Sequence, residues 1–306
     1  MPGSIVDVPG VRVGHATDAA ARTGCTVVAF AAEGAVCGVD VRGSAPGTRE
    51  TDALAPTGHV EVVHAIVLAG GSAFGLDAAA GVMAELEALQ IGYRAGPWIV
   101  PIVPAAILFD LYSGDASVRP DRAMGAAAFR AAASVAPEEG AVGAGTGALV
   151  AKLGGLDRAR PGGVGSASAR YGELIVGALA VCNAVGNVYD PLTRAPVALP
   201  LGADAAFDVP HAIATLAQAF ANTTLAVVAT NAKLRKVDAT KIAQMAHDGL
   251  ARAVDPAHTS RDGDTIFAAA TGAVDVPPDL VGVLAASVVA DAIVRGVRAA
   301  ARARES

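Results

Sequence analysis

Two short stretches of this chain hold residue types that can do acyl chemistry: Asn222-Thr223-Thr224 and Asp262-Gly263-Asp264. A threonine hydroxyl is a weak nucleophile until a base takes its proton. If the Asn222–Thr223 bond opens, Thr223 carries that base itself, as an α-amine with a reference pKa of about 7.7–8.0. The same Oγ can first attack the Asn222 carbonyl, giving an ester that water opens. One hydroxyl would then serve both maturation and turnover. The plainer alternative is a turn leading into a strand, which suits Asn and Thr equally well.

The two acids flank a single glycine. In a loop they can cap a helix, accept backbone N–H bonds, bind calcium, or converge on a neighbouring strand. Two carboxyls this close can share or relay a proton, and a terminal ammonium beside them would be oriented by them. The residues alone leave the turn and the catalytic pair both open.

Other chemistries find less support. The histidines His15, His59, His64, His211, His247 and His258 form no HExxH and no close pair at metal-ligand spacing, so no metal and no cofactor are expected. Ser72 is not in a GxSxG elbow, because Phe74 stands where the second glycine would be; a helix cap is its expected role. Gly70-Gly-Ser-Ala-Phe-Gly75 has neither a Walker lysine nor dinucleotide spacing. Its glycines are read as letting a helix approach a sheet.

The elements that must position these residues follow from the apolar pattern. Strands are expected at Val11–His15, Gly24–Phe30, Ala35–Arg42, His64–Leu68, Ala105–Phe109, Glu173–Asn183, Leu225–Thr230 and Thr265–Ala270. Helices are expected from Gly70 to about Glu87, Pro120 to about Ala136, Val237 to Ala253 and Leu280 to about Ala303, with a helix end at Gln218–Ala221. Proline punctuation makes Asn187–Pro210 the expected loose surface segment. Strands among apolar helices imply one layered α/β domain.

Composition narrows the setting. The 306 residues are 53% hydrophobic but only 4% aromatic, with 35 glycines, which suggests layers packed through small side chains. The net charge of −6 comes without a basic run that could follow a phosphate backbone, so no nucleic acid is expected. Arg295, Arg298, Arg302 and Arg304 read as a solvated helix face. Cys25, Cys37 and Cys182 form no CxxC pair, and the N-terminus has no signal-peptide pattern. Apolar stretches such as Val62–Ala69 are too short to span a membrane. A cytoplasmic protein with no membrane partner is the expectation.

Taken together, Asn222-Thr223-Thr224 before a Val/Ala strand and Asp262-Gly263-Asp264 resemble the DmpA-type aminopeptidase family, most closely its nylon-oligomer endo-hydrolase branch. Val8-Pro-Gly-Val-Arg-Val-Gly-His15 and Leu68-Ala-Gly-Gly-Ser-Ala-Phe-Gly-Leu-Asp77 carry the likeness over nearly the whole chain. The resemblance implies a four-layer αββα sandwich, related to that of ornithine acetyltransferase. It implies a single domain, 1–306, self-cleaved into 1–222 and 223–306, and a homo-oligomer of such large- and small-chain pairs. Asn222 would supply the acyl side of the processed bond and Thr223 the nucleophile. Asp262 and Asp264 would orient and activate it. Lys152 resembles a lysine beside the nucleophile, and Asn183 a strand-end amide that holds the oxyanion or Thr223. Tyr112 is a candidate pocket or oxyanion donor, with a partly buried surface tyrosine as the plainer reading. The implied activity is hydrolysis of small peptides or linear amides through an acyl-threonine. Acyl transfer to an amine, and a non-enzymatic scaffold with the 222–223 bond intact, are the competing readings.

Overall fold

Runs of Val, Ile and Ala make strands that can be buried on both faces, and two sheets are built from them. The computed structural model describes residues 3–204, 206–215 and 221–305. One sheet has five strands in the order Arg12–Asp18, Thr23–Ala29, Ala65–Ala69, Ala105–Ile107, Thr48–Arg49. The other has six, in the order Gly163–Tyr171, Leu174–Asn183, Thr223–Ala232, Thr265–Val274, Ala35–Val41, Val62–Val63. The helices are α1 (Ala78–Ala88), α2 (Arg122–Arg130), α3 (Val209–Thr215), α4 (Lys236–Ala253) and α5 (Pro278–Glu305).

Strand alternation sorts neighbouring residues into different cores. Val28, Leu68, Val227 and Phe267 fill the space between the sheets. Their neighbours Val27 and Val67 pack outward with Leu86 of α1 and Phe129 of α2. On the opposite side Val228 and Ile266 meet Ile242 of α4 and Val289 of α5. The result is helix, sheet, sheet, helix: the αββα sandwich.

Small residues let these layers close up. A Cβ on Gly165 would lie 2.1 Å from the Ala292 carbonyl oxygen of α5, closer than any side chain tolerates. The segment Pro278–Ala303 is long and apolar enough to cross a membrane by length and composition, a property the shorter Val62–Ala69 stretch lacks. About 67% of its most apolar window is buried, against the sheet and α4.

Several local expectations change. Helix α2 stops at Arg130 instead of continuing to about Ala136, because Ala133 pairs with the edge residue Val13. Ser72 is not a cap: a 3-10 turn over Ser72–Asp77 precedes α1, and Gly71 stands before it at φ +79°. The Gly71 N–H donates to one Asp110 oxygen at 2.7 Å, and the Thr23 hydroxyl donates to the other at 2.7 Å. An internal carboxylate therefore takes the place a bound anion would need. Within the supposedly loose 187–210 segment, Asn187–Tyr189 and Pro196–Ala198 pair in a small sheet. Arg295 and Arg298 are not simply solvated, since they meet Glu139 at 2.8 Å and Asp190 at 3.3 Å. Arg302 is exposed, and the Arg304 side chain lies outside the described residues. So does Gln218–Phe220 of the expected helix end, while Ala221 is not helical.

Candidate active site

Strand direction brings the expected residues to one end of the six-stranded sheet. Thr223–Ala232 and Thr265–Val274 run parallel, with Leu225 opposite Thr265, so both begin at that end. A parallel pair needs a crossover, which α4 provides. Leu174–Asn183 runs antiparallel and ends there, with Asn183 directly opposite Thr223. Ala35–Val41 also ends there, with Val41 opposite Thr265. Two strand starts and two strand ends thus converge.

At the junction, the Asn222 N–H donates to the Arg261 carbonyl at 3.1 Å, and the Gly263 N–H donates to the Asn222 carbonyl at 2.9 Å. The Thr223 hydroxyl also donates to the Asn222 carbonyl. Asn222 and Thr223 are buried, at 1% and 3% exposure, so this carbonyl meets protein donors and not solvent. Gly263 has no room for a side chain: a Cβ would lie 2.7 Å from the Ala45 carbonyl oxygen and 2.8 Å from Thr223 Oγ1.

The acids are unequal. Asp264 Oδ1 accepts the Thr224 N–H at 2.6 Å, and Oδ2 accepts both the His258 N–H at 3.1 Å and His258 Nδ1 at 2.8 Å. Asp262 Oδ2 accepts the Thr259 N–H at 2.7 Å, while its Oδ1 is buried with no hydrogen-bond partner among the described residues. Burial pushes the Asp262 carboxyl up to about 6, and the neighbouring Asp264 charge pushes the same way. The Arg42 and Ala45 N–H groups donate to the Asp264 and Asp262 carbonyls, each at 2.9 Å, and fasten the acid loop from outside.

Lys152 lies in a 3-10 turn, Lys152–Gly154, and is 2% exposed. Its Nζ donates to the Asn183 carbonyl at 2.8 Å and to Asn183 Oδ1 at 3.0 Å. Burial lowers Lys152 to about 7, against the opposing pull of the Asp262 charge. Asn183 Oδ1 also accepts the Leu149 N–H at 2.9 Å, and its Nδ2 donates to the Phe109 carbonyl at 3.0 Å. Asn183 therefore meets Thr223 through the strand pairing and holds Lys152 with its side chain. Tyr112 is half exposed, its ring 4.8 Å from that of Phe109.

The structure thus gathers Asn222, Thr223, Asn183, Lys152, Asp262 and Asp264, and Tyr112 is linked to them through Phe109, whose carbonyl accepts from Asn183. Three contributors escaped the sequence reading: the Gly263 N–H, the Arg42–Pro46 cover and His258. Backbone donors leave no signature, and His258 showed only its place four residues before Asp262. Among the described residues no group of three or more His, Cys, Asp or Glu is placed to hold a metal ion. A cavity of about 170 Å³ adjoins Asn222, lined by Leu153, Val185, Ile213, Pro256, Thr259 and Arg261 among others. A larger one, about 520 Å³, lies along α5 and is lined by none of the gathered residues.

The model of peptidase family S58 matches residues 3–306. An uncharacterized aminopeptidase of Mycobacterium tuberculosis is 47% identical, the alignment covering 97% of this chain and 90% of that one. A 6-aminohexanoate-oligomer endohydrolase of Agromyces sp. is 35% identical over 89% of this chain and 76% of its own. Among solved structures, a Burkholderia sp. beta-aminopeptidase superposes with a TM-score of 0.73 at 25% identity, covering 98% of this chain and 88% of that one. The L-aminopeptidase D-Ala-esterase/amidase of Ochrobactrum anthropi, described as a variant of the Ntn-hydrolase fold, superposes at 0.74 with 19% identity, covering 97% and 86%. That last likeness speaks to the fold alone.

Proposed function

The chain belongs to peptidase family S58, the DmpA-type peptidases and amidohydrolases, and from that premise we propose that Thr223 is its self-liberated nucleophile. The observation that carries this reading is the Asn222 carbonyl. It accepts the Gly263 N–H at 2.9 Å and lies against the Thr223 hydroxyl.

In processing, Thr223 Oγ adds to the Asn222 carbonyl carbon, and the developing oxyanion keeps the Gly263 N–H as a fixed donor. The C–N bond breaks as the hydroxyl proton passes to the departing nitrogen. An Asn222 ester on Thr223 Oγ remains, and water opens it to an Asn222 carboxylate. The products are 1–222 and 223–306, with a free amine on Thr223. In turnover that amine takes the hydroxyl proton, Oγ attacks a substrate amide, and the protonated amine product leaves. Water then releases the acid from the acyl-threonine.

Lys152 is the proposed donor to the oxyanion in turnover, with Asn183 holding its ammonium in place. Asp264 anchors the strand start at Thr224, and Asp262 moves the proton. Asn222 occupies the acyl position in the intact chain. The adjoining cavity, walled by Leu153, Val185, Ile213 and Pro256, therefore suits a short aliphatic acyl group. Small peptides and linear amides are the proposed substrates, in keeping with relatives named for beta-amino and 6-aminohexanoate amides. The working form is a homo-oligomer of cut pairs in the cytoplasm, where Cys25, Cys37 and Cys182, all buried and unbridged, remain reduced.

Denaturing mass analysis with N-terminal sequencing tests the reading. The expected small chain begins Thr-Thr-Leu-Ala-Val. An active protein in which every molecule is uncut would overturn it.

A further inference from the structure

Behind the acid pair lies a histidine that the chemistry above does not use. Both the backbone N–H and the ring Nδ1 of His258 reach Asp264 Oδ2, at 3.1 and 2.8 Å. The His258 and Thr224 backbone N–H groups can only donate, so both Asp264 oxygens accept, and Nδ1 beside Oδ2 is assigned the ring proton on that basis. His258 holds this double contact at φ +56°, a left-handed conformation that costs free energy for a residue with a side chain. The Thr224 N–H completes three donors on Asp264, against one side-chain acceptor bond at Asp262.

We infer that His258 is a positioning residue: it clamps Asp264 as the charge-bearing acid of the pair and leaves the mobile proton to Asp262. This rests on the reading of Thr223 as nucleophile. With Oδ2 engaged by His258, Oδ1 is turned to the Thr224 N–H, one residue beyond the attacking hydroxyl. The upward push on Asp262, part of it from the Asp264 charge, agrees with that division. His247 packs edge to face on the His258 ring with centroids 4.8 Å apart, and its Nε2 lies 3.1 Å from the Asp40 carbonyl and 3.6 Å from the Asp40 carboxylate. Burial pushes His247 down to about 4, so it adds no charge near neutrality. Arg42 acts on His247 from farther off.

Two variants separate the clamp from backbone effects. His258→Gly removes the ring and relieves the left-handed backbone; His258→Asn places an amide N–H where Nδ1 stands and tolerates that backbone. Cutting is followed by denaturing mass analysis after synthesis in a cell-free system. His258→Gly should cut roughly 10–100-fold more slowly, the rate equivalent of one hydrogen bond to a charged group, and His258→Asn within about threefold of the parent. Carbon-13 carboxyl titration in the uncut Thr223→Ala chain supplies a readout that needs no activity. The Asp262 midpoint should fall when His258→Gly lets Asp264 share the proton, and return with His258→Asn. Unchanged cutting in His258→Gly, or no rescue by His258→Asn, overturns the inference. A parent chain that never cuts overturns the nucleophile assignment instead, and the titration then decides the clamp alone.

Discussion

Asn183 and Thr223 are direct partners across an antiparallel ladder, and Lys152 is hydrogen-bonded to both oxygens of Asn183. A buried ammonium is thereby held beside the residue at the proposed cut, by an element that belongs to the other side of that cut.

Thr223→Ala should leave the chain uncut, and Thr223→Ser should cut and turn over more slowly. Serine keeps the Oγ but loses the methyl that limits its rotamers. Intact mass under denaturing conditions reads both outcomes. Full cutting in Thr223→Ala would remove the hydroxyl from the chemistry.

Lys152→Met should lower kcat on amide substrates by about 10²–10³, the usual loss for one oxyanion donor, while the sheet core remains folded. Removing its charge also removes a pull that favours the Asp262 carboxylate. The acid limb of the pH–rate profile should therefore move to higher pH. Separate measurement of cutting and turnover shows which step needs the ammonium.

The site should also mark the stability curve of the uncut Thr223→Ala chain. Asp262 has a folded pKa raised to about 6, so the native state binds more protons than the unfolded one below that value, and its contribution falls as pH rises from the ordinary carboxylate range to 6. Lys152 is lowered to about 7, so its contribution rises with pH from 7 toward the ordinary lysine range. The two costs overlap between about 6 and 7. Urea unfolding should show Asp262→Asn gaining up to about 2–3 kcal/mol over its parent as pH rises to 6. Equal stability of the two chains at every pH would contradict this.

Gly263→Ala should cripple cutting more than folding. The added methyl meets the Ala45 carbonyl and Thr223 Oγ1 at 2.7 and 2.8 Å, so the N–H that polarises Asn222 must shift. A stability cost of about 1–3 kcal/mol is expected, within the usual range for overpacking. Circular dichroism alongside the cutting assay separates the two effects.

Much of this site was legible as motif and little of it as geometry. Asn222-Thr223 and Asp262-Gly263-Asp264 stand out by residue type, but nothing in either segment says that their strands run parallel. That pairing, set by the α4 crossover, is what makes them neighbours. Lys152 and Asn183 emerged through resemblance, since one lysine after a glycine loop and one amide at a strand end are common. His258 passed as one of six histidines because its partner is fixed by a turn and not by a spacing rule. The apolar periodicity located the main strands well. It overran α2, whose end is decided by a bridge to Val13, and it missed the small strands of the 187–210 segment, which pair locally without long apolar runs.

The strands Thr223–Ala232 and Thr265–Val274 lie in the middle of their sheet, with Leu174–Asn183 on one flank and Ala35–Val41 on the other. A cut before Thr223 would therefore turn one polypeptide into a heterodimer whose halves are interleaved, not docked. Dissociation would require tearing both of those backbone ladders, together with the short pairing of Asn187 and Val188 to Asp255 and Val254, and exposing the cores on both faces, so the pieces should stay together through turnover and dilution. Unfolding, however, would change its molecularity. The cut form should melt at a temperature that rises with protein concentration, whereas the Thr223→Ala chain should show this only to the extent that its own oligomers dissociate. Once melted, the two pieces would have to find each other again by diffusion, making the cut a ratchet: it arms the enzyme and forfeits the easy return to the fold.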